Sequence, residues 1–197
     1  MINKLLKEIK LIINFGIDEN ENLSKEERIS RMQIFKKELS VEKYNALFIN
    51  IEDALLKDNI TLNEKDMLIS KFLDLFSYYT VLQENYYKLP LILQQLYKSH
   101  SFYKRLCVLF EAIDNKEFAM TFDFEKIMLD YFDFLDNPEN EFYIYNCYSK
   151  IEKINKMVNN FLNKKDFNDK KFEDVINKPE LIFIFKEKSK QYCLKIN

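Results

Sequence analysis

This sequence predicts an all-α fold, an irregular helical bundle of seven to nine helices. Three observations carry that expectation. Gly16 is the only glycine in 197 residues, and Pro90, Pro138 and Pro179 are the only prolines; average usage would be about 7% and about 5%. Hairpin turns and phosphate-cradling loops lean on glycine's backbone freedom, so a glycine-built nucleotide fold is disfavoured. Helix-start signatures recur along the chain, and apolar residues between them return at helical spacing.

Taken in order, Leu5, Ile9, Ile12 and Ile13 share the face of a first helix. Ser24-Lys25-Glu26-Glu27 has the form of a capping box, in which hydroxyl and carboxylate each accept a backbone N–H of the first turn. Ile29, Met32, Phe35 and Leu39 supply the face behind it. Ser40 is a simpler N-cap candidate ahead of Leu47, Ile51, Ala54 and Leu55. Thr61-Leu62-Asn63-Glu64 repeats the capping box before the stripe Leu68, Phe72, Leu75, Phe76 and Tyr79. Pro90 pushes Leu89 out of the helical region. Beyond it, Leu91 to Lys98 and Phe102 to Ile113 read as two short helices, Ser101 being the N-cap candidate of the second. Thr121 is the cap candidate for a face of Phe124, Ile127, Met128, Tyr131 and Leu135. Asn137-Pro138-Glu139 joins an N-cap, a first-turn proline and an acid. Phe142, Tyr145, Tyr148, Ile151 and Ile154 then begin a long helix that continues to about Leu162.

Residues 1–162 are thus expected to form the bundle, with 163–197 as an extension packed on the same domain. Segment 163–172 is polar and reads as a linker. In the tail, Leu181 to Phe185 is a short apolar run, and Tyr192, Leu194 and Ile196 alternate with Cys193 and Lys195. Alternation is a strand signal, so a short C-terminal β-hairpin and a last helix fit residues 180–196 equally.

Charge and cysteine content narrow the partners. The net charge of −2 offers no overall field for nucleic acid or an anionic membrane. It is unevenly spread: from Ser149 onward there are twelve Lys and seven acidic residues. Cys107, Cys147 and Cys193 are odd in number and form no metal-ligand spacing, which suits a reducing, cytoplasmic setting. No signal peptide is read at the start, and no apolar run is long enough to span a bilayer.

Catalytic material is sparse. His100 is the only histidine, so an HExxH zinc site or a multi-histidine metal site cannot be built. Its ordinary reading is a helix-junction side chain, exposed or capping a carbonyl. Carboxylates are plentiful: Asp130, Asp133 and Asp136 recur at three-residue intervals, and Glu111-Ala112-Ile113-Asp114 has an ExxD form. A divalent-metal hydrolase of all-α type would use Glu111, Asp114, Asp130 and Asp133, but the second acidic motif such a site needs is missing. Lys150, Lys153, Lys156, Lys164, Lys165, Lys170 and Lys171, with Tyr148 and Phe161 nearby, could follow a nucleic-acid backbone. Interleaved Glu152, Asp166, Asp169, Glu173 and Asp174 argue for ordinary surface pairs instead.

The aromatic excess, eighteen Phe and twelve Tyr with no Trp, exceeds what single buried stripes hold. Phe132 and Tyr143 fall outside the stripes assigned above. With Tyr78, Tyr87 and Asp133 they are expected to form a partner-binding patch. The chain therefore reads as a non-enzymatic, intracellular protein–protein interaction module needing no cofactor. An inhibitor, immunity protein, adaptor or secretion accessory factor of a bacterium or phage would suit the composition. A carboxylate-dependent metal hydrolase and a nucleic-acid-binding accessory protein are the alternatives.

Overall fold

The structure, a computed structural model, describes residues 1–113 and 124–163. Among them are nine α-helices and no strand, so the all-α bundle expected from the sequence is what forms. Asp114, Thr121 and the hairpin-or-helix tail at 180–196 lie outside the described residues. Two compact units divide the chain, Met1–Lys98 and Ser99–Asn197.

The first unit holds α1 (Ile2–Ile13), α2 (Lys25–Glu38), α3 (Asn45–Leu55), α4 (Leu62–Tyr78), α5 (Thr80–Glu84) and the start of α6 (Leu91–Ile113). Both capping boxes form. Ser24 Oγ accepts the Glu27 N–H at 3.2 Å, and Glu27 Oε2 accepts the Ser24 N–H at 2.8 Å. Thr61 and Glu64 do the same at 3.3 and 3.0 Å. The backbone N–H groups of Ser24 and Thr61 hold the two glutamates below the usual carboxylate range. Ser40 caps no helix, but its hydroxyl accepts the Lys43 N–H at 3.1 Å in the turn before α3.

Helix α4 is the centre of this unit. Its Leu68, Ile69, Phe72, Leu73, Leu75 and Phe76 are buried, and it packs on α1 through Leu5, Ile9 and Ile12. Phe48 of α3 closes a ring cluster with Phe72 and Phe76. One polar group is caught inside: Asp66 is buried on α4, and its Oδ1 finds no hydrogen-bond partner among the described residues. An unsatisfied buried oxygen costs about 1–3 kcal/mol, which the surrounding apolar burial has to outweigh.

The end of α1 explains the solitary glycine. Gly16 N–H donates to the Leu11 carbonyl at 2.8 Å and Phe15 N–H to the Ile12 carbonyl at 3.0 Å, the paired bonds of a Schellman motif. Both residues are left-handed, Phe15 at φ 58 and Gly16 at φ 71. A Cβ on Gly16 would also sit 3.2 Å from Cδ2 of the Phe35 ring. A left-handed phenylalanine is strained by roughly 1–2 kcal/mol. Its ring contacts hold it there: Phe35, Tyr78 and Tyr79 meet it edge-on at 6.2, 6.1 and 5.9 Å, and the Lys36 ammonium lies 5.5 Å above it. The Tyr79 hydroxyl donates to the carbonyls of Ile12 and Ile13 at 2.8 and 3.1 Å, satisfying acceptors that the helix end leaves open. Burial pushes that phenol up to about 12.

The second unit continues α6 from Ser99 and adds α7 (Phe124–Asp136), a 3-10 turn (Pro138–Asn140), α8 (Glu141–Asn146) and α9 (Tyr148–Asn163). Two boundaries differ from expectation. α6 is one helix of 23 residues, not two short ones. Ser99 and Ser101 start no helix; Ser99 is buried and its hydroxyl donates to Asn140 Oδ1 at 2.6 Å, while Asn140 Nδ2 donates to the Phe134 carbonyl at 2.9 Å. The long helix expected from Phe142 is broken at Cys147, whose backbone leaves the helical region at φ −111 and ψ 50. Cys147 then accepts the N–H groups of Lys150 and Ile151 and so starts α9.

That break rotates the buried face. Tyr143, Ile144 and Cys147 point inward, whereas Phe142 and Tyr148 are half-buried and Tyr145 is exposed. Ile151, Ile154 and Val158 continue the core along α9. In α7 the buried stripe is wide, taking in Tyr131, Phe132, Phe134 and Leu135 together.

Candidate functional site

Helix α2 is the least supported element of the first unit. Of its fourteen residues only Phe35 is buried. Met32 is half-buried, and Ile29 and Ile34 are exposed. A helix of this length is marginal in water unless an apolar face is covered. Beside it runs a groove of about 630 Å³, lined by Phe15, Ile17, Arg28, Met32 and Tyr78 among others. A neighbouring recess of about 600 Å³ shares Asn14, Ile17 and Asp18 and is walled by Leu6, Leu11 and Met67.

Tyr78 stands at the groove with 58% of its surface exposed. It is nevertheless held: its ring packs edge-on to Tyr79 at 5.0 Å and to Phe15 at 6.1 Å. Tyr87, 59% exposed, lies on the 3-10 turn Tyr86–Lys88 with the Lys88 ammonium 5.7 Å from its ring centre. It does not line this groove. Asp133 is exposed on α7 in the other unit. Phe132 and Tyr143 correct the expected patch, for they are 6% and 1% exposed. The width of the α7 stripe takes in Phe132, and the break at Cys147 turns Tyr143 inward.

Of the expected metal quartet, Asp114 lies outside the described residues, and Glu111, Asp130 and Asp133 are not brought together. Glu111 pairs with Lys153 at 3.7 Å and Asp130 with Lys126 at 3.1 Å. No group of three or more His, Cys, Asp or Glu is placed to hold a metal ion among the described residues. On the basic stripe, Lys156 pairs with Glu152 at 2.6 Å.

A second candidate, missed from sequence, surrounds His100. The ring lies within α6, not at a helix junction. It stacks on Tyr103 at 5.7 Å with an 18° interplanar angle, and its Nδ1 is 3.0 Å from the Tyr143 hydroxyl oxygen. It borders a cavity of about 660 Å³ that also meets Tyr103, Lys104, Ser149, Lys150 and Lys153. Burial, aided by Lys150 and Lys104, pushes the imidazole down to about 3. Burial also pushes the Tyr103 phenol and the Cys107 thiol up. At neutral pH all three are uncharged. A thiol raised this way is a poor nucleophile and an imidazole lowered this way a weak base, so Cys–His covalent chemistry is disfavoured. The signal was available: His100, Tyr103 and Cys107 fall on one face of a helix once α6 is read as continuous.

The imidazole has a measurable consequence. Folded, His100 takes its proton only near pH 3, while an unfolded imidazole does so near 6.5. Between those values the unfolded chain binds more protons, so stability falls as pH is lowered through that window. The loss between pH 6.5 and 5 is at most about 2 kcal/mol. Because His100 is the only histidine, urea melts at pH 7 and pH 5 should differ for the native chain and nearly coincide for His100→Gln.

No helix among the described residues is long and apolar enough to cross a membrane. No protein family, curated protein or solved structure matches this chain.

Proposed function

We propose that the chain is a non-enzymatic protein-binding module whose partner docks on α2 and Tyr78. The observation that carries this reading is a fourteen-residue helix with one buried residue beside a groove edged by a held, exposed tyrosine. Covering Ile29, Met32 and Tyr78 would supply the burial that α2 lacks, and tyrosine is enriched among residues that dominate interface energies. α2 carries five Lys and Arg against three Glu, and Glu27 is occupied in the capping box. The groove itself is lined by Asp18 and Glu19 against Arg28, and Arg31 is taken up by Glu21 at 2.6 Å, so apolar anchors rather than a charge sign mark the partner segment that fits best. The burial of the Cys107 and Cys147 side chains, with no disulfide between them, supports an intracellular setting. An inhibitor, immunity protein, adaptor or secretion accessory factor would work through such a surface. Neither alternative gains an observation, since Glu111 and Asp130 each face a lysine and Lys153 and Lys156 each face a glutamate.

The test is capture from the native cell extract on the immobilised full chain, followed by mass spectrometry. Tyr78→Ser and Met32→Ser should each lose the protein that the native chain retains. Tyr87→Ser, away from the groove, should keep it. Stability should change by no more than about 0.5 kcal/mol for Tyr87→Ser, a surface substitution. Retention of the partner by both groove variants would refute the assignment.

A further inference from the structure

Helix α2 carries a sequence that matches itself when turned end for end. Reversed about its midpoint, between Arg31 and Met32, Lys25 falls level with Glu38, Glu26 with Lys37 and Glu27 with Lys36. Opposite charges meet at each of these levels, and no level along the helix sets like charge against like. Further in, Ile29 falls level with Ile34 and Ser30 with Gln33. Several of the end charges are engaged within the chain: Glu27 in the capping box, Glu38 with Lys43 at 2.7 Å, and Lys36 above the Phe15 ring. Glu26 and Lys37 are exposed and form no ion pair among the described residues.

Helical spacing puts Glu26, Ser30, Gln33 and Lys37 on one stripe, on the side of α2 away from the buried Phe35. Ile29 and Ile34 stand one on each edge of it, 47% and 54% exposed. We infer that two copies of this chain pair through this outward stripe, with the two α2 helices antiparallel about a twofold axis at the helix midpoint. A twofold interface brings the same patch of each copy together. Glu26 of each copy then meets Lys37 of the other, Ser30 meets Gln33, and the isoleucine edges cover one another. Parallel pairing would set Glu26 against Glu26, so charge selects both the occupant and its direction. The groove wall at Arg28 and Met32 is on a different side of α2, so this pairing goes beyond the docking reading and does not depend on it. One helix from each copy makes a small contact, which belongs with transient association and not with an obligate dimer.

Sedimentation equilibrium of the full chain over a range of concentrations tests the pairing. The native chain should self-associate, and less so as salt is raised, because exposed ion pairs are screened. Glu26→Lys and Lys37→Glu, each checked for native helix content by circular dichroism, should each weaken association by about tenfold, since two attractive contacts per dimer become two repulsive ones. Mixed in equal amounts, the two variants should recover it, because each offers the charge that the other lacks. Tyr78→Ser should leave association within about twofold, as expected of a site outside the contact. That result separates the pairing from the groove, whose partner Tyr78→Ser is expected to lose. A native chain that stays monomeric up to about 1 mM, a mixture no more associated than its two components, or loss of association in Tyr78→Ser would overturn the proposal.

Discussion

Tyr143→Ser should abolish cooperative folding of the second unit or lower its stability by about 3–5 kcal/mol, the usual cost of deleting a buried aromatic ring. The side chain is 1% exposed. Its ring meets Tyr103 at 5.9 Å, Phe134 at 6.1 Å and His100 at 5.9 Å, and its hydroxyl oxygen lies 3.0 Å from His100 Nδ1. Serine would leave a cavity among these rings and take away the partner of a half-buried imidazole nitrogen. Against a total stability of about 5–15 kcal/mol, that loss is large. Tyr143→Phe separates the two contributions, keeping the ring and deleting the hydroxyl for about 1–2 kcal/mol. Urea unfolding, with hydrogen exchange read at amides 99–113 and 124–163, measures both. An unchanged midpoint for Tyr143→Ser would mean that this ring faces solvent, as the sequence pattern first suggested.

The reason that pattern misled is physical. Apolar spacing reports which residues of a helix share a face, and it assumes an unbroken helix with one covered side. Tyr143 fails the first condition, since the helix stops at Cys147 and the face restarts in a new phase. Phe132 fails the second, since the buried stripe of α7 takes in Tyr131 and Phe132 side by side. The continuity of α6 was equally hidden. Ser101 reads as an N-cap, yet no proline or glycine interrupts Leu91–Ile113, and Ser99 sits inside the helix with its hydroxyl bonded to Asn140, 41 residues away. What local chemistry does control was legible: both capping boxes, the first-turn proline at Pro138 and the scarcity of glycine that goes with an all-α chain. Tyr78 and Tyr87 were legible as surface residues too, one closing α4 and the other on a 3-10 turn.

Helix α2 shows a subtler limit. Ile29, Met32, Phe35 and Leu39 do make a stripe, but only Phe35 and Leu39 are buried. A stripe at helical spacing says that something covers it. Whether the cover is the same chain or another protein is not written in the spacing. Only the structure separates the half that packs at home from the half left beside the groove, and that division is the basis of the docking proposal.

Phe76→Ala should be the most damaging substitution in the first unit, again by about 3–5 kcal/mol. The ring is fully buried and touches Phe72 at 4.9 Å, Phe48 at 5.7 Å and Tyr97 at 5.7 Å, so α3, α4 and the start of α6 lose a shared contact at once. Phe76→Leu keeps most of the volume and should cost less than about 1.5 kcal/mol. The position bears on binding as well as stability. Tyr78 lies two residues further along α4, and the Phe76 carbonyl accepts Gln83 Nε2 at 2.7 Å, tying the end of α4 to α5. A cavity here loosens the base on which Tyr78 is held. If the α2–Tyr78 groove is the docking surface, Phe76→Leu should keep its partner while Phe76→Ala loses it under conditions where both chains are still folded by circular dichroism. Equal capture by the two folded variants would uncouple the groove from the core beneath it and move the binding site elsewhere.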